Sequence, residues 1–568
     1  MGSSQSLQHN RFVLGNLPLV RSLANYRHTD FQHDLAAGLI GGIITVPQAI
    51  AYAFLAGLPP EAGLYACLVP TFLYALLGTS RELAVGPVAI VALMVASALA
   101  KHASSPDMYG AVTAVLCFEV GVLLLLLRAF QMGGIVNFLA HPVMAGFVNA
   151  AAIVIIVSQL APFAGLPDAG TTNAWQQLVK AVQGIDAANA ATIALGAAAL
   201  VVLYAVRRVP SDVLRRIGPI VVIVASLATV VAFDLDRRLG IAVVGHVPAG
   251  LPTFALPPLD GTLWLALVPS SAAIALIAYI ESYSLGTTLA ARHGRSVGAN
   301  AELVALGAAN LGAAFTFAYP VAGSFSRSGV NFSAGARTQV ASLVAMTLIV
   351  ATLLWATPLF ERLPQAVLAA IVIAAVADLI ELRPLREYWS FYAADTVTHL
   401  ITLVGVIAFG VELGLLLGVL FSVAFFVRQS SKPHIAILGR IGDTGVFRNV
   451  ERHRTETLSH VAAVRVDENI YFANAHDIES RLIEIATQTA GLEHLLLVCS
   501  AVNFIDTSGL AMLERVNDDL ERLGIQFHLS DVKGPVMDRL NTTRFPDQLT
   551  GSIFFSTDLA MRGFEEAT

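Results

Sequence analysis

The sequence predicts a polytopic α-helical membrane protein with a smaller soluble α/β domain at its C-terminal end. Of its 568 residues, 56% are apolar and 13% are charged, against about 25% charged in an ordinary soluble domain. The charges are also segregated: 33 fall in the 137 residues from Lys432 to Thr568, and the first 431 residues hold the other 41. Within that first part, apolar runs long enough for a bilayer recur one after another. A cytosolic enzyme, a nucleic-acid binder and a disordered scaffold are thereby excluded for the chain as a whole. The division expected is a cytosolic N-terminal segment over 1–35, a transmembrane domain over 36–430 and a soluble domain over 431–568.

The first 35 residues are polar and hold no apolar core before a cleavage site, so no removable signal peptide is expected. Met1-Gly2-Ser3-Ser4-Gln5-Ser6 fits a myristoylation pattern. It reads as a chance match, because one acyl chain adds nothing to a chain with many spans. The net charge of −6 says little about partners, and Cys67, Cys117 and Cys499 lack the spacing of a disulfide framework or a zinc site. No metal or other cofactor is expected.

A helix crossing about 30 Å of hydrocarbon needs about 20 mostly apolar residues. Fourteen segments qualify: 38–56, 63–78, 86–100, 110–130, 142–163, 189–206, 218–234, 264–284, 303–318, 327–337, 338–356, 364–381, 396–411 and 412–428. Basic residues in short loops favour the cytoplasmic side. With both termini inside, the inner loops carry Arg207, Arg208, Arg215, Arg216, Arg292, Arg295, Arg383 and Arg386, followed by Arg428 and Lys432 at the exit. The outer loops hold fewer: Lys101, Lys180, Arg237, Arg238 and Arg362. An even number of spans agrees with that placement.

Two segments are short: the one after Gly86-Pro87 and the one near Ser326-Arg327. They are the third and the tenth, the same position in two halves of seven. An odd repeat length obliges the second half to enter the membrane inverted. Paired short or Gly/Pro-interrupted segments in corresponding positions point to a transport site.

Pro87 suits the first turn of a helix and Gly86 allows close backbone approach. A helix that starts inside the membrane points unpaired N–H groups, with about half a positive charge, into a cavity. Two such ends facing each other make an anion site. Arg327, within Ser324-Phe325-Ser326-Arg327-Ser328, adds a full positive charge beside hydroxyl donors. Its guanidinium matches oxyanions in a bidentate way.

Glu281 lies well inside the eighth segment. A carboxylate there must be paired, protonated or wetted. Two roles stay open: a proton acceptor that titrates as the substrate's negative charge arrives, or a permanent ion pair with Arg327. Glu119, Asp378 and Glu412 read as packing or interfacial groups. Gln48 and Tyr52, one turn apart after a Pro47 expected to interrupt the first helix, either line the cavity or tie helices together.

Thr45-Val46-Pro47-Gln48-Ala49-Ile50-Ala51-Tyr52, Leu55-Ala56-Gly57-Leu58-Pro59-Pro60 and Gly63-Leu64-Tyr65 resemble the signature of the SulP sulfate-permease family. That family includes plant sulfate transporters, bacterial bicarbonate and dicarboxylate carriers, and the animal prestin/pendrin group. Gly78-Thr79-Ser80-Arg81, Gly86-Pro87-Val88-Ala89, Val136-Asn137-Phe138, His141-Pro142-Val143-Met144 and the Ser324–Ser328 stretch continue the match. The resemblance implies fourteen spans in a seven-plus-seven inverted repeat, with core and gate bundles moving in an elevator-like cycle, usually as a dimer. It also implies an anion site at Gln48, Tyr52, Val88, Ala89, Phe325, Ser326 and Arg327, although some relatives carry an aromatic where this chain has Val88. Glu281 matches the family's acidic position in the eighth helix. Members with Glu there look proton-coupled, whereas a sodium-coupled bicarbonate carrier has Asp. The linker Ile437-Leu438-Gly439-Arg440-Ile441-Gly442-Asp443, with Phe447-Arg448-Asn449-Val450, looks most like that of sulfate-transporter members.

Beyond residue 437 short apolar runs (461–466, 495–499, 525–529) alternate with helical stretches (476–486, 507–522, 533–541), the pattern of a sheet covered by helices. Asp506-Thr507-Ser508-Gly509, at a strand-to-helix junction, is an N-cap. It also resembles the STAS domain loop of anti-sigma-factor antagonists, where the hydroxyl residue after Asp is phosphorylated. That implies Thr507, with Ser508 beside it, as a regulatory position and a cytosolic protein as partner.

The function expected is proton-coupled sulfate uptake across the inner (plasma) membrane, with no enzymatic activity and no nucleic-acid partner. Bicarbonate or dicarboxylate transport, sodium- or chloride-linked exchange, and an anion channel or sensor signalling through the STAS domain are the alternatives.

Overall fold

The computed structural model describes residues 17–24, 26–103, 105–134, 140–167, 173–209 and 212–566. The Met1–Ser6 pattern and Val136-Asn137-Phe138 lie outside the described residues. The chain divides into two compact units between Leu420 and Phe421.

Every expected membrane segment holds a helix. In chain order these are α1 (His28–Leu55), α2 (Pro60–Leu77), α3 (Ala89–His102), α4 (Tyr109–Ala129), α5 (His141–Ala164), α6 (Ala190–Arg208) and α7 (Asp212–Phe233). The second half gives α8 (Gly261–Ala291), α9 (Ala299–Ala314), α10 (Phe325–Ala334), α11 (Val340–Ala356), α12 (Gln365–Ala377), α13 (Ala393–Phe409) and α14 (Val411–Ser430). Among the described residues, seven of them have at least 18 residues and the apolar composition needed to cross a membrane alone. Prolines open α2 at Pro60 and α5 at Pro142, and Pro70 lies in the first turn of the second piece of α2 (Val69–Leu77), where a missing N–H is no loss.

Three local expectations are corrected. Pro47 does not interrupt α1, which runs continuously from His28 to Leu55. In a packed membrane bundle, neighbouring helices hold such a proline in place. Pro87 is not in the first turn of α3, which starts at Ala89 with Val88 as its N-cap. Helices also occupy Ala174–Gln183 and Arg383–Phe391, where only loops were expected. Both expose aromatic side chains, Trp175 in one and Trp389 and Phe391 in the other. Each is too short to register in a 20-residue apolar window.

Packing sorts the helices into two sets. In one, α4 packs on α8 and α9, α9 on α2, α1 on α10 and α11, and α3 on α8 and α1. In the other, α5 packs on α13 and α12, and α6 on α7 and α12. Each set therefore draws matching members from both halves. Close approach depends on small residues: a Cβ on Gly121 of α4 would lie 2.9 Å from the Gly307 carbonyl oxygen of α9.

Two short strands lie at the centre of the first set. β1 (Val85–Gly86) pairs antiparallel with β2 (Ala322–Gly323), Val85 opposite Gly323 and Gly86 opposite Ala322. Each strand leads straight into one of the short helices, α3 or α10. The equivalent pieces of the two halves thus meet in opposite directions.

The second unit is a six-stranded sheet in the order β4-β3-β5-β6-β7-β8: β3 (Ile435–Arg440), β4 (Phe447–Asn449), β5 (Val461–Val466), β6 (His494–Val498), β7 (Gln526–Ser530) and β8 (Ile553–Phe554). β5 to β8 are parallel, and β3 runs antiparallel to both β4 and β5. Residues 437–443, expected as linker, therefore belong largely to a hairpin of the sheet. Its main helices are α15 (Ala475–Gln488), α16 (Thr507–Arg522), α17 (Gly534–Leu540) and α18 (Thr557–Glu566).

Candidate functional site

The starts of α3 and α10 are treated differently by their neighbours. Ser324 caps α10, its Oγ accepting from the Arg327 N–H at 3.4 Å. No side chain caps α3, whose N-cap is the apolar Val88. The turn before β1 is clamped from several helices. Fully buried Glu302 of α9 accepts from the Tyr74 hydroxyl (2.7 Å), the Thr79 hydroxyl (2.6 Å) and the Thr79 N–H (2.8 Å). Gln339 donates to the carbonyls of Ser80 (2.7 Å) and Leu83 (2.8 Å), and the Ser328 hydroxyl accepts from the Ala84 N–H (2.8 Å). On the other side, the Gly323 N–H donates to Ser282 Oγ of α8 at 2.7 Å. These polar ties fix two helix ends inside a membrane bundle.

Arg327 is only 4% exposed. Its Nη2 donates to the Pro87 carbonyl at 2.7 Å, so α10 reaches across to the entry of α3. Its Nη1 contacts Cys67 Sγ at 3.8 Å, and its Nε has no hydrogen-bond partner. Gly86 makes room for the guanidinium: a Cβ there would lie 2.7 Å from Nη1. Among the described residues no carboxylate lies within 4.0 Å of Arg327, so the ion pair with Glu281 is not formed.

The other expected residues gather round this point. Gln48 Nε2 donates to Ser326 Oγ at 3.3 Å, joining α1 to α10. Tyr52, on the next turn of α1, is buried. Val88 and Ala89 are buried at the start of α3, while Phe325 and Ser326 are exposed at the start of α10. Four buried polar atoms here lack partners: Gln48 Oε1, Glu281 Oε2, Tyr319 Oη and Arg327 Nε. Unpaired polar atoms are expensive to bury unless a ligand or water meets them. The group brings the Arg327 guanidinium together with the uncapped N–H groups of α3 and with hydroxyls, which suits an anion.

A cavity of about 720 Å³ between α1, α3, α5 and α12 is lined mostly by apolar residues such as Phe54, Leu93 and Leu368, and holds none of these side chains. Charge and unpaired donors, not volume, mark the site.

Cys67, Tyr319 and the buried carboxylates Glu302, Asp34 and Glu82 were missed from sequence. Asp34 accepts from Thr338 Oγ1 (2.6 Å) and from the Arg337 N–H (2.6 Å), and Glu82 pairs with Arg295 at 3.1 Å. Apart from the Tyr26 hydroxyl, which donates to Asp34 Oδ2 at 2.9 Å, the partners of these carboxylates lie more than 200 residues away in the chain, so no local pattern signals them. Glu119, Asp378 and Glu412 each have partners: Ser271 Oγ at 2.6 Å, Arg207 at 2.8 Å and Lys101 at 2.7 Å.

The sequence matches the profile of the Sulfate permease family over residues 31–402 and that of the STAS domain over 452–560. The chain belongs to the sulfate permease family. It is 37% identical over 537 residues to "Sulfate transporter 4.1, chloroplastic" of Arabidopsis thaliana, covering 90% of this chain and 77% of that one. It is 32% identical over 554 residues to a probable sulfate transporter of Mycobacterium tuberculosis, covering 97% and 98%. The fold matches the structure of SLC26A9 with a TM-score of 0.89 at 23% identity, over 99% of this chain and 95% of that one. The transmembrane domain of the cyanobacterial bicarbonate transporter BicA matches with a TM-score of 0.60 at 20% identity, over 70% and 98%. The protein is thus a polytopic membrane transporter with a STAS domain, and not an enzyme.

Proposed function

We propose that this sulfate permease carries sulfate inward, coupled to protons, with the anion held at Gln48, Tyr52, Val88, Ala89, Phe325, Ser326 and Arg327. The observation that carries the reading is the buried Arg327, anchored to Pro87 and free of any carboxylate among the described residues. A lone guanidinium at membrane depth is costly unless something negative visits it. The curated relatives named as sulfate transporters favour sulfate as that visitor.

Glu281 supplies the coupling. It is 9% exposed and unpaired at Oε2. A substrate with two negative charges meeting one guanidinium leaves an excess negative charge, and protonating Glu281 offsets it. The two helix sets support an elevator-like motion, the set holding α3 and α10 sliding against the other. The protein works in the plasma membrane with both termini cytoplasmic, which the basic residues of the inner loops favour. Homodimer formation and STAS regulation at Thr507 or Ser508 complete the reading; Thr507 is exposed and Ser508 half-buried.

The test is radiolabelled sulfate uptake into proteoliposomes with imposed pH or sodium gradients. An inward proton gradient drives accumulation, and Glu281→Gln makes uptake independent of pH. A sodium requirement, or chloride counterflow without proton movement, replaces proton coupling. Equilibration without accumulation indicates a channel.

A further inference from the structure

We propose that Glu412, on the helix set that does not hold the anion site, is a positioning residue: it tethers α3 and α8 in the state seen here and so limits turnover. This rests on the carrier reading above. The helix that presents Val88 and Ala89 at its start carries Lys101 near its other end. Lys101 Nζ lies 2.7 Å from Glu412 Oε2, in the first turn of α14. The second carboxylate oxygen accepts from Ser270 Oγ of α8 at 2.6 Å. Ser270 is 3% exposed and lies nine residues into α8, about 14 Å from that helix end at 1.5 Å per residue. Both oxygens of one carboxylate are thus held by the site-bearing set.

The backbone of Glu412 moves with the other set. A Cβ on Gly414 would lie 2.2 Å from the Val406 nitrogen and one on Gly418 would lie 2.2 Å from Thr402 Oγ1, so α14 is pressed onto α13 without clearance. α13 in turn packs on α5. Gly410, at φ +91°, makes the reversal between α13 and α14 that aims Glu412 at Lys101. Among the described residues, Lys101–Glu412 is the only ion pair between a helix of one set and a helix of the other. A cavity of about 220 Å³, lined by Leu93, Ser97, Val154 and Phe409, adjoins it and leaves α3 room to shift once the tie breaks. Lys101 is half-exposed, and solvent screening keeps such a pair weak enough to break in each cycle.

The experiment measures sulfate uptake in proteoliposomes and, independently, a spin-label distance in nanodiscs between labels at Ala100 of α3 and Leu416 of α14, both exposed. Glu412→Gln and Lys101→Met each raise the maximal rate about 3-fold or more, with half-saturating sulfate within about 2-fold. The double variant matches the singles, because one shared contact is lost only once. The charge-swapped pair Lys101→Glu/Glu412→Lys returns towards the parent. The single variants also add a second, longer distance to the one population of the parent. Unchanged rates and distances, additive effects, or a change in affinity alone overturn the tether. A parent that carries no sulfate, while its variants still show the second distance, sinks the substrate reading and leaves the tether standing.

Discussion

Two helix starts, one in each unit, show what separates a structural end from a functional one. In the soluble unit, α16 begins at Thr507 behind Asp506, whose Oδ1 accepts from the Gly509 N–H at 2.8 Å while its Oδ2 accepts from the Phe472 N–H at 2.9 Å. The positive end of the dipole is neutralised by a carboxylate of its own chain. In the membrane unit, α3 begins behind Val88 with no side-chain cap, and the nearest full charge is the Arg327 cation bound to the preceding carbonyl. One end is closed by a built-in anion. The other is left without a carboxylate, in keeping with the anion site proposed above.

That contrast can be broken by mutation, beginning where the effect is largest. Arg327→Ala removes the only positive side chain among the proposed anion-binding residues, and sulfate uptake falls about 100-fold or more while the purified protein still elutes as one folded species. Normal uptake would refute the site outright. Gly86→Ala pushes a methyl to 2.7 Å from Arg327 Nη1, the movable tip of a side chain. The guanidinium therefore leaves the Pro87 carbonyl without unfolding the bundle, and we expect uptake to drop about 10-fold, chiefly through weaker binding.

The soluble unit answers to pH and capping instead. His528 Nδ1 accepts from the Ser552 N–H at 2.9 Å, and its Nε2 lies 3.2 Å from His494 Nδ1, so both rings must be neutral. Burial, with His494 beside it, pushes His528 down to about 4. The unfolded chain, near 6.5, binds more protons in between, so this contribution is complete above about pH 6.5 and is lost as pH falls towards 4. Hydrogen exchange of the β7 and β8 peptides should accelerate across that window, and His528→Gln should flatten the dependence. The smallest effect is Asp506→Ala, about 1 kcal/mol of destabilisation in denaturant titrations of the full chain, with initial uptake unchanged.

Where the physics is local, the residues can be read directly. Gly86 and the Ser324–Ser328 stretch marked the two short helices, because a membrane helix that begins with glycine, serine and arginine breaks the apolar pattern. The charge boundary near Lys432 marked the soluble sheet, and Asp506 announced its cap. Pro47 misled, because a proline's effect on a helix depends on what packs against it. The amphipathic helices at Ala174–Gln183 and Arg383–Phe391 were too short and too polar to stand out. Glu302, Asp34 and Gln339 were invisible because each is satisfied by donors or acceptors far away in the chain. Glu412 looked interfacial, and only the placement of Lys101 and Ser270 makes it a bridge.

Composition and periodicity alone therefore determined that the chain enters a bilayer repeatedly, ends in an α/β domain and places an arginine where a helix is too short to cross. Those traits follow from transfer energies and hydrogen-bond needs that each segment carries by itself. Tertiary structure decided which ends face each other, that Arg327 reaches Pro87 instead of Glu281, and which carboxylates are structural. Such choices depend on distances between residues hundreds of positions apart, and a charge acquires its role only from the partner that folding brings within reach.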